Sequence, residues 1–598
     1  MEIFSAIVTL LGGLAMFLYG IEVMGDGLKN SSGAALKRVL EKVTGNVFIG
    51  VLTGALVTAV IQSSTATIVL TVALIGAGVL NLRQAVSIVM GANIGTTITA
   101  QIIRLSSIEA GNNWFLMLFD TDTLAPTALV VGIILLMFVK TKTSKTIGDI
   151  FMGFGVLFIG LNLMTGAVKP LSETAAFQNI LLSLNNPLTG IAAGLILTVI
   201  VQSSSAMVGM IQALSVSGAM TFTMVYPVIM GINLGTCVTT AMVCSIGSSK
   251  DAKRTGVVHI VFNSIGTILF MIVMSILEAN SVFGNEWWVR TVDSGIIANF
   301  QTFFNLVTAI VLLPFTNQLV AISKAVVKNE PEKPPRHAEL LVLDEKLLIS
   351  PAVAVSEATK AVAAMGAIAR DNFARAHHLL INNDPEIQAL ITKEEDCLDQ
   401  FTDTADNFLI NLSKVVENEY DDHQLNMLMQ AVPDFERIGD YATNLAELAD
   451  RLLAEKSAFS SNARHELKLI CSAVDEILSI TVQAFTENDN ELAKQIEPLE
   501  EVIDDMVRIL RSRHTKRLKQ GTCSVGTGLV FMETLTYLER ASDQCSSIAV
   551  LMLARENEDI SKNHYAYLRQ LHAGNDLSYV KELERRREQY IGQLEALV

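Results

Sequence analysis

Three stretches in the first half of the chain occur twice, always 140 residues apart. GGLAMFLYGIEVMGDGLK (12–29) pairs with MGFGVLFIGLNLMTGAVK (152–169), GALVTAVIQSSTA (54–66) with GLILTVIVQSSSA (194–206), and MGANIGTTITA (90–100) with MGINLGTCVTT (230–240). Gly20 and Gly160, Met24 and Met164, Thr58 and Thr198, Gln62 and Gln202, Asn93 and Asn233, and Thr96 and Thr236 are identical pairs. A register held without a gap from residue 12 to residue 100 marks a duplicated structural unit. The fold is expected to contain two copies of one substructure, about residues 12–100 and 152–240.

Composition says where that unit lives. Of 598 residues, 51% are hydrophobic and 17% charged. Residues 1–330 hold 16 Lys/Arg and 14 Asp/Glu; residues 331–598 hold the other 28 of 44 Lys/Arg and 46 of 60 Asp/Glu. The first part has several apolar stretches of about 20 residues, the length that crosses a bilayer as a helix. The second is charged and periodic, as in a soluble domain. The expected organisation is an all-α chain with a polytopic membrane domain over 1–325, a linker over 326–350 bearing Pro331, Pro334 and Pro335, and a soluble helical domain over 351–598. The opening MEIFSAIVTLLGG lacks a basic n-region and carries Glu2, so it is expected to be the first membrane helix rather than a cleavable leader. Lys324, Lys328, Lys333 and Arg336 follow the last apolar segment and put that end on the cytoplasmic side of the plasma (inner) membrane. The acidic second half disfavours nucleic acid as a partner. The six cysteines form no C-x-x-C pair and read as reduced, incidental thiols.

No charged residue occurs from Val43 to Leu82, yet Gln62, Ser63, Ser64 and Thr65 fall inside that tract. Their twins are Gln202, Ser203, Ser204 and Ser205. Duplicated membrane units are the signature of transporters, which bind substrate near the midplane on broken helices. Ser and Thr bond to their own backbone and tolerate a break. The amides at the start of a half-helix then point at one spot and receive an anion without Lys or Arg. In the second motif, Asn93, Thr96, Thr97, Asn233 and Thr236 are hard oxygen donors suited to Na⁺. The glycines beside them loosen the helix or permit close backbone approach. Small and hydroxylated residues in membrane helices commonly serve only to let helices pack; two polar motifs in register argue for more. Further on, VVHIVFNSIGT (257–267) resembles ANFQTFFNLVT (298–308) when the second is slid by one residue, with His259 opposite Gln301 and Asn263 opposite Asn305. His259 is expected to be a hydrogen-bonded interior residue rather than a proton relay.

At these residues the chain resembles the type II sodium–phosphate cotransporter family, over residues 1 to about 325. That family has two inverted repeats, each with a Q-S-S-S and an N-I-G-T element. The resemblance implies sodium-coupled movement of inorganic phosphate, with Gln62, Ser63, Ser64, Thr65, Gln202, Ser203, Ser204 and Ser205 as substrate-site elements. It also supplies the inversion, which the spacing alone leaves open. The first copy departs from the family in reading QSST.

The C-terminal part reads as amphipathic helices and carries its own duplication. Glu436, Arg437 and Asp440 in DFERIGDYATNLAE (434–447) match Glu539, Arg540 and Asp543 in YLERASDQCSSIA (537–549), and EDCLDQF (395–401) parallels EVIDDM (501–506). The domain is expected to be two three-helix units. Carboxylates four apart share a helix face and repel unless neutralised by a metal, an arginine or water. The pattern resembles the PhoU family, helical phosphate-signalling proteins with an E/D-x-x-x-D metal motif per repeat. That implies a divalent or trivalent metal at Glu436, Asp440, Glu539 and Asp543.

The favoured reading is a Na⁺-coupled secondary transporter of phosphate, regulated by the PhoU-like domain; uptake and export are both open. The alternative is a membrane phosphate receptor that signals without transport. A channel is disfavoured because no charged ring or filter-like run is present. No G-x-S-x-G, H-E-x-x-H or P-loop points to an enzyme. The bilayer and phosphate are the implied partners, and a homodimer is a compatible assembly.

Overall fold

The computed structural model describes residues 2–41, 46–76, 79–107, 121–139, 141–172, 174–245, 250–328, 337, 340, 343–382, 384–416 and 418–596. The linker prolines Pro331, Pro334 and Pro335 lie outside the described residues. All named elements are helices. The chain separates into two compact units, Met1–Pro335 and Arg336–Val598.

The first unit begins with α1 (Glu2–Glu41), α2 (Val47–Ile61), α3 (Ser64–Gly76), α4 (Leu82–Gly95), α5 (Thr97–Ile103) and α6 (Thr121–Phe138). The second copy follows as α7 (Lys142–Ser172), α8 (Ala175–Ser183), α9 (Pro187–Val201), α10 (Ser204–Ser215) and α11 (Phe222–Ser245). Three longer helices close the unit: α12 (Lys250–Ala279), α13 (Ser294–Leu312) and α14 (Thr316–Val326), with a single turn at Asn285–Val289 between the first two. Corresponding helices start alike. Asn46 Oδ1 accepts from Phe48 N at 2.9 Å, and Asn186 Oδ1 accepts from Leu188 N at 2.9 Å. These are N-caps, each satisfying an amide the helix leaves orphaned.

The contact of α1 with α7 reveals how the copies are related. Gly13 packs on Gly160 and Met164, Gly20 on Gly153 and Leu157, and Gly27 on Thr146 and Ile150. One number rises as the other falls, so the helices are antiparallel. They are also equivalents: adding 140 to Gly13 and Gly20 gives Gly153 and Gly160. A self-complementary contact between antiparallel equivalents is a two-fold interface within one chain. The axis lies across the helices, so the repeats are inverted.

Within each copy the packing is parallel and equally close. A methyl group on Gly54 would overlap the Ile88 carbonyl, and one on Gly194 the Val228 carbonyl. Gly91 meets Val51 O, and Gly231 meets Ile191 O. Both relations repeat at the 140-residue offset. The glycines of the second motif thus serve close approach of α4 to α2 and of α11 to α9.

Among the described residues of this unit, six helices are long and apolar enough to span a bilayer: Ile3–Ser32, Leu82–Ile103, Ser144–Ser172, Phe222–Ser245, Lys250–Ala279 and Ser294–Val326. Pro351–Leu379 and Ser461–Glu487 meet the same length and apolarity test in the second unit.

The second unit contains α15 (Pro351–Leu379), α16 (Pro385–Ser413), α17 (Glu419–Ala454), α18 (Ser461–Glu487), α19 (Ile496–Lys519), α20 (Val525–Ala554) and α21 (Leu577–Ala596). The first three pack together, as do the next three, and the units join through α15 with α18 and α17 with α20. The apolarity of α15 and α18 fits this inward position: Phe373, Ala369 and Met365 on α15, and Ile470, Val474 and Ile477 on α18, are fully buried. Phe435 of α17 fills the space left by Gly366 of α15 and meets Phe485 of α18 edge-on, 5.3 Å between centroids. α21 packs on α19 and α18, an addition to the expected pair of three-helix units.

Candidate functional site

Each Q-S-S element forms the tip of a helical hairpin. Gln62 (φ 58°) and Gln202 (φ 60°) end α2 and α9 in the left-handed region, their amides bonded to Thr58 O and Thr198 O. Ser63 Oγ then accepts from Ala66 N, and Ser203 Oγ from Ala206 N, both at 3.2 Å. α3 and α10 thus begin with capped, amide-bearing ends at Ser64 and Ser204. Thr58 Oγ1 donates to Thr67 Oγ1 at 2.9 Å. Nine residues along an unbroken helix would separate these by roughly 13 Å, so the chain reverses at Gln62–Ser63.

The two tips converge on one side chain. Thr99 Oγ1 donates to Gln62 Oε1 at 2.8 Å and receives Ser205 Oγ at 3.5 Å. Gln62, Ser64 and Ser205 are buried, Ser63, Thr65, Ser203 and Ser204 half-buried, and Gln202 exposed. The geometry therefore joins Gln62 of the first repeat to Ser205 of the second through Thr99. Sequence reading passed over Thr99, although it stands inside the duplicated MGANIGTTITA.

The sodium-ligand candidates share one habit. Asn93 Nδ2 donates to Val89 O and Asn233 Nδ2 to Ile229 O, both at 3.0 Å. Thr96, Thr97 and Thr236 hydroxyls donate to Ala92 O, Ile94 O and Ile232 O. Their protons go back into their own helix, and their oxygens are left as acceptors, the role a cation requires. Thr96, with helical dihedrals and its amide on Ala92 O, joins α4 to α5 in the first copy, and α11 runs unbroken through Phe222–Ser245 in the second.

α12 and α13 place a further polar set beside these helices. Asn263 Nδ2 donates to His259 O at 3.1 Å and Asn305 Nδ2 to Gln301 O at 2.9 Å, the same bond at paired positions. Both Oδ1 atoms lack a partner among the described residues. So do both ring nitrogens of His259, which is fully buried. This corrects the expectation of a hydrogen-bonded histidine: the ring is fully buried, and the bond that reaches residue 259 from Cys237 Sγ goes to its backbone carbonyl. Gln212 of α10 donates to Ala100 O at 3.1 Å and Ser294 Oγ at 2.8 Å, tying α10 to α5 and α13. Its counterpart at 72 is valine, so the duplication gave no hint of it.

In the second unit the carboxylates gather as two triads. Oxygens of Glu395, Asp399 and Asp440 lie within 4.8 Å of one another, as do those of Glu500, Asp504 and Asp543. Each triad joins the middle and last helix of one three-helix unit. Asp440 and Asp543 are thus brought to a common site. Glu436 stands one turn earlier outside its triad, and Glu539 outside the other, 2.7 Å from Arg511. The spacing E-x-x-x-D also occurs at 395–399 and 500–504, and taking the second parallel from Glu501 hid it. Burial and then mutual repulsion raise these groups: Glu395 and Asp440 upward, Asp504 to about 6, and Glu500 to about 10. An all-carboxylate donor set whose members repel one another fits a hard divalent or trivalent cation.

Comparison with known proteins agrees with this layout. The Na⁺/Pi-cotransporter family matches residues 16–166 and 167–285, and the PhoU domain matches residues 362–449 and 467–552. The putative inorganic phosphate export protein YjbB of Escherichia coli is 23% identical over 563 residues, covering 93% of this chain and 99% of that protein. The phosphate-specific transport system accessory protein PhoU homolog 1 of Thermotoga maritima is 29% identical over 143 residues, 24% of this chain and 60% of its own. Human sodium-dependent phosphate transport protein 2B is 30% identical over 104 residues, 17% of this chain and 15% of its own. The chain is a multi-pass membrane transporter, not an enzyme, in which a Na⁺/Pi-cotransporter family unit is followed by a pair of PhoU domains.

Proposed function

We propose that the protein is a sodium-coupled secondary carrier of inorganic phosphate in the plasma (inner) membrane, with its PhoU domains in the cytoplasm. The observation that carries this is the meeting of the two Q-S-S tips at Thr99, one from each inverted repeat. Phosphate docks between the tips, held by the first amides of α3 and α10 and by the hydroxyls of Ser63, Ser64, Thr65, Ser203, Ser204 and Ser205, with the Gln62 side chain on the buried side and Gln202 at the rim. Dipoles and hydroxyls suit a carrier, because an oxyanion held by a fixed cation leaves slowly. Sodium bound by oxygens of Asn93, Thr96, Thr97, Asn233 and Thr236 offsets the anion's charge and steadies the tips. Rocking of one assembly against the other then opens the opposite side.

Radiolabelled phosphate flux in proteoliposomes tests this reading, with and without an imposed sodium gradient. Gradient-dependent accumulation supports it; phosphate binding without flux sinks it in favour of a receptor. A second reading concerns direction only. The relatives that match most of the chain are named putative phosphate exporters, which favours export driven by high internal phosphate. Net efflux from loaded vesicles at equal sodium is its measurement.

For the soluble unit we propose regulation, with a hard metal ion at the Glu395–Asp399–Asp440 and Glu500–Asp504–Asp543 triads. Glu436 and Glu539 border these sites. Elemental analysis of the purified full-length protein decides the metal: no bound divalent or trivalent ion retained after exposure and washing removes it.

A further inference from the structure

One cleft in the second unit lies away from both carboxylate triads. It opens where α18 and α20 begin and α19 ends, and its volume is about 330 Å³. Ser460 caps α18 and Ser524 caps α20, so two long helices direct their N-termini into the same space. Their amide ends favour a negative ligand.

Independent of the helix ends, His514 lines this cleft and is 1% exposed. Neither of its ring nitrogens makes a well-aligned hydrogen bond among the described residues; the Gly528 backbone lies beside the ring. A buried imidazole without a partner is costly unless something else supplies one. Its ring stacks on Phe531, 4.8 Å between centroids. Burial, and then the Arg517 charge, hold it below its ordinary pKa, so it stays neutral with one N–H to donate.

Arg517 also lines the cleft, its guanidinium 5.4 Å from the Phe531 centroid. Glu466 answers it at 2.8 Å but also engages Arg513 at 3.5 Å, so two guanidiniums share one carboxylate. Lys516 and Lys519 add positive charge in the same last turn of α19. Among the described residues of the lining, Arg517 is the one charged side chain and no carboxylate occurs, and Phe459 and Phe531 supply an apolar wall. The volume is at the small end of ligand pockets, which run about 300–1,000 Å³.

We propose that this cleft binds a phosphoryl dianion, free phosphate or a small phosphomonoester, with its oxygens on Arg517, the His514 N–H and the starts of α18 and α20. The aromatic wall takes the organic part when there is one. The proposal is independent of transport: it stands even if the membrane unit carries nothing. A cytoplasmic phosphoryl site in the regulatory unit would be its input.

Cys523 lines the cleft and is partly exposed, as is Cys397 on α16, away from the cleft. The test is the rate of N-ethylmaleimide labelling of each, read by peptide mass spectrometry in the full-length protein in detergent. Inorganic phosphate and AMP are the two probes. The expected result is several-fold slower labelling of Cys523 with unchanged Cys397. Protection by phosphate assigns the free anion, and protection by AMP alone assigns a phosphomonoester. Arg517→Gln should abolish the protection; His514→Gln replaces it if circular dichroism shows that the first variant misfolds. Ser204→Ala, in the membrane unit, should leave protection intact. Unchanged Cys523 labelling with both probes, protection that survives the cleft variants, or loss of protection in Ser204→Ala overturns the proposal.

Discussion

The two copies of the membrane repeat share a scaffold and differ in their polar lining. Gly54 and Gly194, and Gly91 and Gly231, make the same backbone approaches at the same offset. Gln62 and Gln202 end their helices with the same left-handed turn. Yet Gln62 is buried and held by Thr99, whereas Gln202 is exposed and Thr239, the twin of Thr99, donates to Thr236 O of its own helix. One tip is closed while the other is open. Fixed scaffolds with unequal tips are what a carrier needs in order to present its site to one side at a time.

The scaffold half of that comparison is the easiest to break. Gly54→Ala and Gly194→Ala each push a methyl into a backbone carbonyl that no rotamer change can move. Each should cost at least about 3 kcal/mol, the upper range for overpacking, and the two costs should match. Thermal unfolding in detergent, followed by size-exclusion recovery, measures both. Damage in only one copy would show that the shared register does not mean shared packing.

The lining half is sharpened by accessibility. Cysteines at 62 and 202, in a background with Cys397 and Cys523 replaced by serine, should react with a small polar thiol reagent at rates differing by about tenfold, equivalent to about 1.4 kcal/mol of opening. Position 202 should be the faster. Sodium with phosphate should narrow the gap if the tips close together on the substrate. Equal rates without ligand would mean that the asymmetry is not a property of the resting carrier.

Much of this was legible before any coordinates. The 140-residue register named the equivalent residues, and the change in charge near residue 330 separated the apolar part of the chain from the charged part. Inversion was not legible, because it depends on the direction in which α1 meets α7, and spacing carries no direction. Thr99 was missed because it is one of three threonines in GTTIT, and only the fold tells which one faces Gln62. Gln212 lay outside the repeat's logic, since residue 72 is valine. Glu500 was lost through a register error of one residue, which on a helix turns a side chain by about 100°. Two helices of the soluble unit passed the apolarity test for a membrane span, because the centre of a six-helix bundle is as dry as a bilayer.

The smallest expected difference isolates one substitution between the copies. Thr58 Oγ1 donates to Thr67 Oγ1, but residue 207 is methionine, so the Thr198 hydroxyl finds no partner among the described residues. The same chemical change should then have unequal effects. Thr58→Val removes a made bond and strands one of the acceptor positions on Thr67, at about 1 kcal/mol. Thr198→Val removes a buried hydroxyl that bonds to nothing and fits the same space, so it should be neutral or stabilising by a few tenths of a kcal/mol. Paired melting curves in one detergent resolve this. If Thr198→Val loses as much as Thr58→Val, Thr198 has a partner in the working protein, and the position opposite Met207 on the second hairpin is where to seek it.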